Sequence, residues 1–224
     1  MHGETVSPSA YRFRPHWEVL PAGTQLWRLH KSRFAAEEFK PFNPNADAGR
    51  FDGTPEDPYP CLYAATDAET ALAETLLRSV DYDLEIGMRL ILWAQVRGRS
   101  LNVVRTRCEL KLVSLCSGAA LAAVCQDNRL LENEGAEHYG RTRLWAREIR
   151  AQAPEAMGMI WGSKRNPSQR ALVLFGDRLA DCAGGALDPL PYRSIPDLGS
   201  PDGIKEANQL LEPLRSAIRE PLHR

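Results

Sequence analysis

The sequence predicts an α+β domain whose strands run mostly antiparallel. Short apolar runs and amphipathic helical stretches mix along it without the regular strand–helix alternation of a parallel sheet. At 224 residues, 43% hydrophobic and 25% charged, the chain fits one large soluble domain, or a domain with an appendage.

The elements follow in order. "TQLWRLHK" (24–31) reads as a strand with Trp27 and Leu29 on one face and Arg28 on the other. From Phe39 to Pro60 the chain is dense in Pro, Gly, Asn and Asp and reads as loop. "CLYAA" (61–65) is a short strand. Thr66 with Glu69 matches a capping box, which predicts a helix from about Asp67 to Arg78. "MRLILWAQVRG" (88–98) is the strongest strand signal, and "SLNVV" and "LKLV" suggest shorter strands. "SLCSGAALAAVCQD" (114–127) reads as an Ala-rich buried helix, and "GRTRLWAREIRAQAP" (140–154) as an amphipathic one. "MGMIWGS" (157–163) and "RALVLFGD" (170–177) are strands split by the turn "KRNPSQ". A Gly- and Pro-rich stretch then leads to a terminal helix interrupted near Pro213.

Net charge is -1 with no basic block, which disfavours direct nucleic-acid binding. A few placed Arg residues can still bind phosphate. The N-terminus shows no apolar signal region, and no run of eighteen apolar residues offers a membrane span. Five cysteines (Cys61, Cys108, Cys116, Cys125, Cys182) show no CxxC spacing, and four sit in apolar surroundings as buried free thiols do. That composition fits a reducing cytoplasm. The five His residues show no paired spacing, so no zinc site is expected.

Four residues could carry chemistry, and each has a plainer reading. Arg28 is either a solvated strand residue or a phosphate clamp. Glu74 lies at the edge of the apolar arc of Ala68, Leu72 and Leu76; it either pairs with Arg78 at i,i+4 or faces a site. Tyr63 either packs in the core or offers its ring to a flat ligand. Ser163 caps a turn, and without GxSxG around it a nucleophile elbow is not expected. GxGxxG and Walker patterns are both missing from the sequence, which removes the main support for Rossmann hydride transfer and P-loop chemistry.

The order of these pieces resembles a known family. "LWRLH" carries Arg28; "AGRFDG" (48–53) carries Arg50; "LYAATDAETALAE" (62–74) carries Tyr63 and Glu74; "YGRTRLWA" (139–146) follows; and "GMIWGSKRNPSQRALVLFGDR" (158–178) carries Ser163. Together they resemble the RES-domain family, the toxin halves of RES–Xre toxin–antitoxin pairs. Lys164 stands where the family commonly has Arg, and the tail after Cys182 has no counterpart. The resemblance implies an ADP-ribosyltransferase-like fold, a compact body with a split β core around an NAD cleft. It implies NAD as substrate rather than bound cofactor, cleaved to nicotinamide and ADP-ribose 1″-phosphate with inorganic phosphate as co-substrate, or used to ADP-ribosylate a protein. It implies an Xre-type helix-turn-helix antitoxin as partner; a non-catalytic role in a repressor complex is the reading from another class. The implied roles are Glu74 for the ribose cation, Arg28 for the diphosphate or incoming phosphate, Tyr63 against nicotinamide or ribose, Ser163 as a hydrogen-bonding group, and Arg50 as a second phosphate contact. On this reading residues 1–16 are an extension, 17–180 the catalytic domain and 181–224 a tail with a helix. The tail's Ile204, Leu210, Leu211, Leu214 and Ile218 can cover the body or a second copy.

Overall fold

The structure, a computed structural model, describes residues 8–44, 49–78, 80–132, 136–182 and 184–220; Ala48 of the "AGRFDG" match lies outside them. In chain order the elements are β1 (Trp17–Leu20), β2 (Gln25–Lys31), β3 (Cys61–Ala65), α1 (Ala68–Leu76), β4 (Arg89–Leu92), α2 (Trp93–Val96), β5 (Arg99–Thr106), β6 (Leu110–Ser114), α3 (Gly118–Ala122), α4 (Arg129–Glu132), α5 (Ala136–Gln152), β7 (Gly158–Gly162), β8 (Arg170–Phe175), β9 (Leu187–Pro189), α6 (Pro201–Leu211) and β10 (Ser216–Arg219).

Eight strands form one sheet in the order β1-β6-β7-β8-β3-β2-β5-β9. Within it β6 and β7 run parallel, and every other neighbouring pair is antiparallel. The fold is therefore α+β on a mostly antiparallel sheet. Its joints are unequal. β2 pairs with β5 from Gln25↔Arg105 to Lys31↔Arg99, and β3 with β8 from Cys61↔Phe175 to Ala65↔Ala171. β2 and β3 meet only at Trp27↔Ala65. The sheet opens beyond that pair, and the opening positions the site.

Period-two alternation sorts the side chains into layers. Met159 and Trp161 of β7 and Ala171, Val173 and Phe175 of β8 face α5, whose Trp145, Ala146 and Ile149 close that core. Ile160, Leu172 and Leu174 face the opposite side, with Leu26, Leu62 and Leu112. α1 buries Ala68, Leu72 and Leu76 against Leu101 and against Ile204 and Ala207 of α6, with Trp27 and Leu29 packed at the margin.

Several elements depart from the sequence reading. The 88–98 strand stops at Leu92, and Trp93–Val96 makes a single helical turn. The Gln95 side-chain oxygen accepts from the Leu92 N–H at 3.0 Å, and the Trp93 indole donates to the Gly199 carbonyl at 2.8 Å. The α6 entry loop thus pulls Trp93 out of strand geometry. The 114–127 helix shrinks to α3, because the chain first runs on beside β7, with Leu115 N donating to the Ile160 carbonyl at 2.8 Å. Ser117 then caps the helix by accepting from Ala120 N. Cys108 and Cys182 form a disulfide and Cys125 is exposed, so the cysteines are not a set of buried free thiols and do not support the expected reducing setting. The C-terminal segment ends as a strand: β10 pairs in parallel with β4 outside the main sheet. Ile204, Leu211 and Ile218 are buried in the α1 core, so these tail residues cover the chain's own body. Among the described residues no helix is long and apolar enough to cross a membrane.

Candidate functional site

The Pro-rich loop before β3 is held at fixed points. Arg150 of α5 is buried, with its guanidinium on Asp57 at 2.8 Å and Asp177 at 2.7 Å and over the Tyr59 ring at 3.8 Å. Tyr59 OH donates to the Phe51 carbonyl at 2.7 Å. Thr142 Oγ1 donates to the Arg50 carbonyl, and Arg50 Nη1 donates to the Leu130 carbonyl at 2.7 Å. A loop with this many buried anchors is a rigid wall rather than a connector.

The loop tip closes on Tyr63. The Tyr63 hydroxyl donates to Asp52 Oδ1 at 2.9 Å and accepts from Phe51 N at 2.8 Å. Lys40 Nζ binds Asp52 Oδ2 at 2.7 Å. A methyl at Gly49 would lie 2.7 Å from both Asp52 Oδ1 and the Tyr63 hydroxyl, so only glycine lets the backbone approach this closely. Burial alone would raise the Asp52 carboxyl. Hydrogen bonds from Lys40, the Gly49 backbone and Tyr63, with the charge on Lys40, hold it below the usual carboxylate value. Burial raises the Tyr63 phenol well above its ordinary value, so it stays a neutral donor.

Glu74 is set by the start of α1 and by the β7–β8 turn. The N-cap is Asp67, one residue beyond the expected Thr66; its Oδ1 accepts from Thr70 N at 2.7 Å. Thr66 is recruited instead to Arg170 on β8. Ser163 Oγ donates to Glu74 Oε1 at 2.6 Å, and Lys164 N donates to the same oxygen at 3.1 Å. Ser163 Oγ also accepts from Asn166 N at 3.0 Å and Arg165 N at 3.2 Å. Asn166 Nδ2 reaches Thr70 Oγ1 at 3.0 Å, tying the turn to α1. The i,i+4 ion pair between Glu74 and Arg78 does not form; Arg78 lies over the Tyr139 ring at 5.8 Å.

These pieces surround a cavity of about 490 Å³ at the opening between β2 and β3. That volume lies in the range of small-molecule sites. Tyr63 and Trp161 stand edge to face at 6.5 Å on its floor, and Trp27 and Leu29 continue the floor onto β2. Lys40, Arg50, Arg78, Arg99 and Lys164 line it, against two carboxylates, Asp52 and Glu74. The excess of cations suits an anionic ligand, and the aromatic floor suits flat rings.

Of the residues expected from sequence, Glu74, Tyr63 and Arg50 line the cavity. Ser163 lies just behind its neighbours Gly162 and Lys164, 2% exposed, and reaches the cavity through Glu74. Arg28 does not line it. Its Nη1 is held by the carbonyls of Ala36 at 2.7 Å, Glu38 at 2.6 Å and Ala35 at 3.3 Å. Burial draws this guanidinium down to about 10, offset in part by Cys61 and Glu38, and it remains charged at pH 7. Sequence reasoning passed over Asp52 and Arg99. Asp52 was legible as the polar residue two beyond Arg50 in the matched "GRFDG" block; Arg99 carried no sequence signal.

A family model described as the RES domain matches residues 25–193. Among curated proteins none matches the chain. Among solved structures, a chain in the crystal structure of the M. tuberculosis MbcT–MbcA toxin–antitoxin complex superposes with a TM-score of 0.54 at 13% identity, over 79% of this chain and 85% of that one. At that identity the likeness establishes a shared fold.

Proposed function

The chain belongs to the RES-domain family, and from that premise we propose that it is the toxin of a toxin–antitoxin pair and cleaves the nicotinamide–ribose bond of NAD. The observation that carries the reading is Glu74, presented to an aromatic-floored, cation-lined cavity and fixed through one oxygen by Ser163 and Lys164 N. We read the single-pair junction of β2 and β3 as the split core of an ADP-ribosyltransferase-like fold.

The chemistry follows from charge. Nicotinamide leaves as a neutral molecule, and positive charge develops on the ribose in an oxocarbenium-like transition state. A carboxylate fixed beside that ribose stabilises the charge without reorganising. Glu74 Oε1 is taken by Ser163 and Lys164, and Oε2 accepts no hydrogen bond among the described residues, which suits it to a ribose hydroxyl or the developing cation. Tyr63 and Trp161 supply faces for the nicotinamide or ribose. Arg50 and Arg78, both on the Tyr139 ring, supply positive charge for phosphate oxygens. Arg28 acts indirectly, fixing the 35–38 segment that leads to Lys40. The acceptor is inorganic phosphate, giving ADP-ribose 1″-phosphate, in the cytoplasm and under control of an Xre-type helix-turn-helix antitoxin. The superposed chain, which comes from a toxin–antitoxin complex, supports that pairing.

The test is incubation of the purified protein with NAD, with and without phosphate, following nicotinamide and the sugar product. Phosphate-dependent release of nicotinamide with ADP-ribose 1″-phosphate is expected, lost in Glu74→Gln. Label from NAD on a protein would make it a transferase. NAD binding without nicotinamide release would make it a non-catalytic partner.

A further inference from the structure

The buried Arg28 and the half-buried Arg178 each hold backbone carbonyls, and the buried Arg150 holds Asp57 and Asp177. Arg99 differs from these three. It lines the cavity, it is half-buried, and its guanidinium makes no hydrogen bond or ion pair among the described residues. Its backbone is fixed: Arg99 pairs with Lys31 across β2, and its carbonyl accepts from Leu198 N at 2.9 Å. Alternation along β2 and β5 puts it on the face that carries Leu29, beneath α1. Burial lowers its basicity, with nothing nearby to restore it. A guanidinium held in a cavity wall without a counter-ion is a receptor for an anion.

Its position says which anion. Glu74 is anchored from the turn between β7 and β8, whereas Arg99 stands on β5. The strands between run β8, β3, β2, β5, so three strand-to-strand steps separate the two ends, and the β3–β2 step is the one that opens beyond Trp27↔Ala65. A phosphate attacking the ribose must sit beside Glu74. We propose that Arg99 binds the diphosphate of the dinucleotide substrate, at the end of the cavity away from the bond that breaks. This rests on the NAD reading above.

The experiment is calorimetric binding of ADP-ribose and of nicotinamide riboside, which lacks the diphosphate, to wild type, Arg99→Gln and Arg99→Lys. Losing one charge-assisted contact should weaken ADP-ribose about 10- to 100-fold in the Gln variant. The Lys variant should recover part of that, and nicotinamide riboside should bind all three alike. The melting temperature of Arg99→Gln should hold, because no internal contact is lost; a fall would mark a structural residue and overturn the assignment. Equal ADP-ribose binding by wild type and Arg99→Gln would also overturn it while leaving the NAD reading intact. A higher KM for phosphate with unchanged ADP-ribose binding would move Arg99 to the co-substrate and overturn it as well. If wild type binds neither ligand, the NAD reading falls and takes this one with it.

Discussion

Substituting Ser163 by Ala tests whether this serine acts on the ligand or on Glu74. Its hydroxyl donates to Glu74 Oε1 at 2.6 Å and accepts from two turn amides, in a position 2% exposed. A hydrogen bond to a charged group contributes about 1.5–3 kcal/mol, and the turn amides lose their acceptor as well. Released from Ser163, the carboxylate keeps only the Lys164 amide and can swing. Misplacing a catalytic group by about 1 Å costs roughly 100-fold in rate, or about 2.7 kcal/mol. The expected result is a kcat for nicotinamide release lowered about 100-fold, with KM for NAD within about 3-fold of wild type. The deciding measurement is a double-mutant cycle with Glu74→Gln. If Ser163 works through Glu74, the double variant is no slower than Glu74→Gln alone. Losses that multiply would refute the reasoning and put Ser163 in direct contact with substrate.

Three further outcomes are expected. Asp52→Asn should lower the melting temperature at pH 7, since the carboxylate's bonds to Lys40 and Tyr63 weaken at a cost of about 1–3 kcal/mol. The folded Asp52 titrates below its unfolded value of about 3.9, so its stabilisation is complete above that value and is lost as pH falls through the folded one. The gap between wild type and variant should therefore be constant at neutral pH and close below about pH 4; a gap that widens in acid would contradict it. Arg28→Ala strands the carbonyls of Ala36 and Glu38, worth about 2–4 kcal/mol, and melting should fall by roughly 5–12 °C; a variant as stable as wild type would show that those contacts carry nothing. The Cys108–Cys182 bridge closes a separation of 74 residues, for which chain entropy gives about 4 kcal/mol. A reductant should lower the melting temperature of wild type and leave Cys108→Ser/Cys182→Ser unmoved; equal behaviour of the two would rule out a stabilising bridge.

Much of this fold is legible because local pattern and tertiary role agree. β3 and β8 are buried on both faces, and their short, continuously apolar runs stand out in the sequence. Most of the disagreements come from partners distant in sequence. Trp93 leaves strand geometry for a carbonyl at Gly199, and β10 becomes a strand only because β4 lies beside it. Asp67 displaces Thr66 as the cap because Thr66 is claimed by Arg170, more than a hundred residues on. Arg28 alternates with apolar residues, which suggests solvent or a ligand; it meets neither, because the following loop turns three carbonyls onto it. Glu74 and Ser163 can be singled out along the chain, but their bond spans 89 residues and is a fact of folding alone.

Two carboxylates line one cavity, and their partners decide which one suits the proposed chemistry. Asp52 is met by the ammonium of Lys40, so the pair presents almost no net charge to a ligand. Its remaining oxygen contacts hold Tyr63 and the loop, which makes it a positioning group. Glu74 is met by a hydroxyl and a backbone amide, both neutral. These donors orient the carboxylate and leave its charge uncancelled. A positive charge developing on a sugar is stabilised by an uncancelled, fixed carboxylate far more than by one already paired. The same asymmetry orders the substitutions: Asp52→Asn should cost stability first and rate second, and Glu74→Gln rate first, with stability little changed because the amide oxygen can still accept from Ser163.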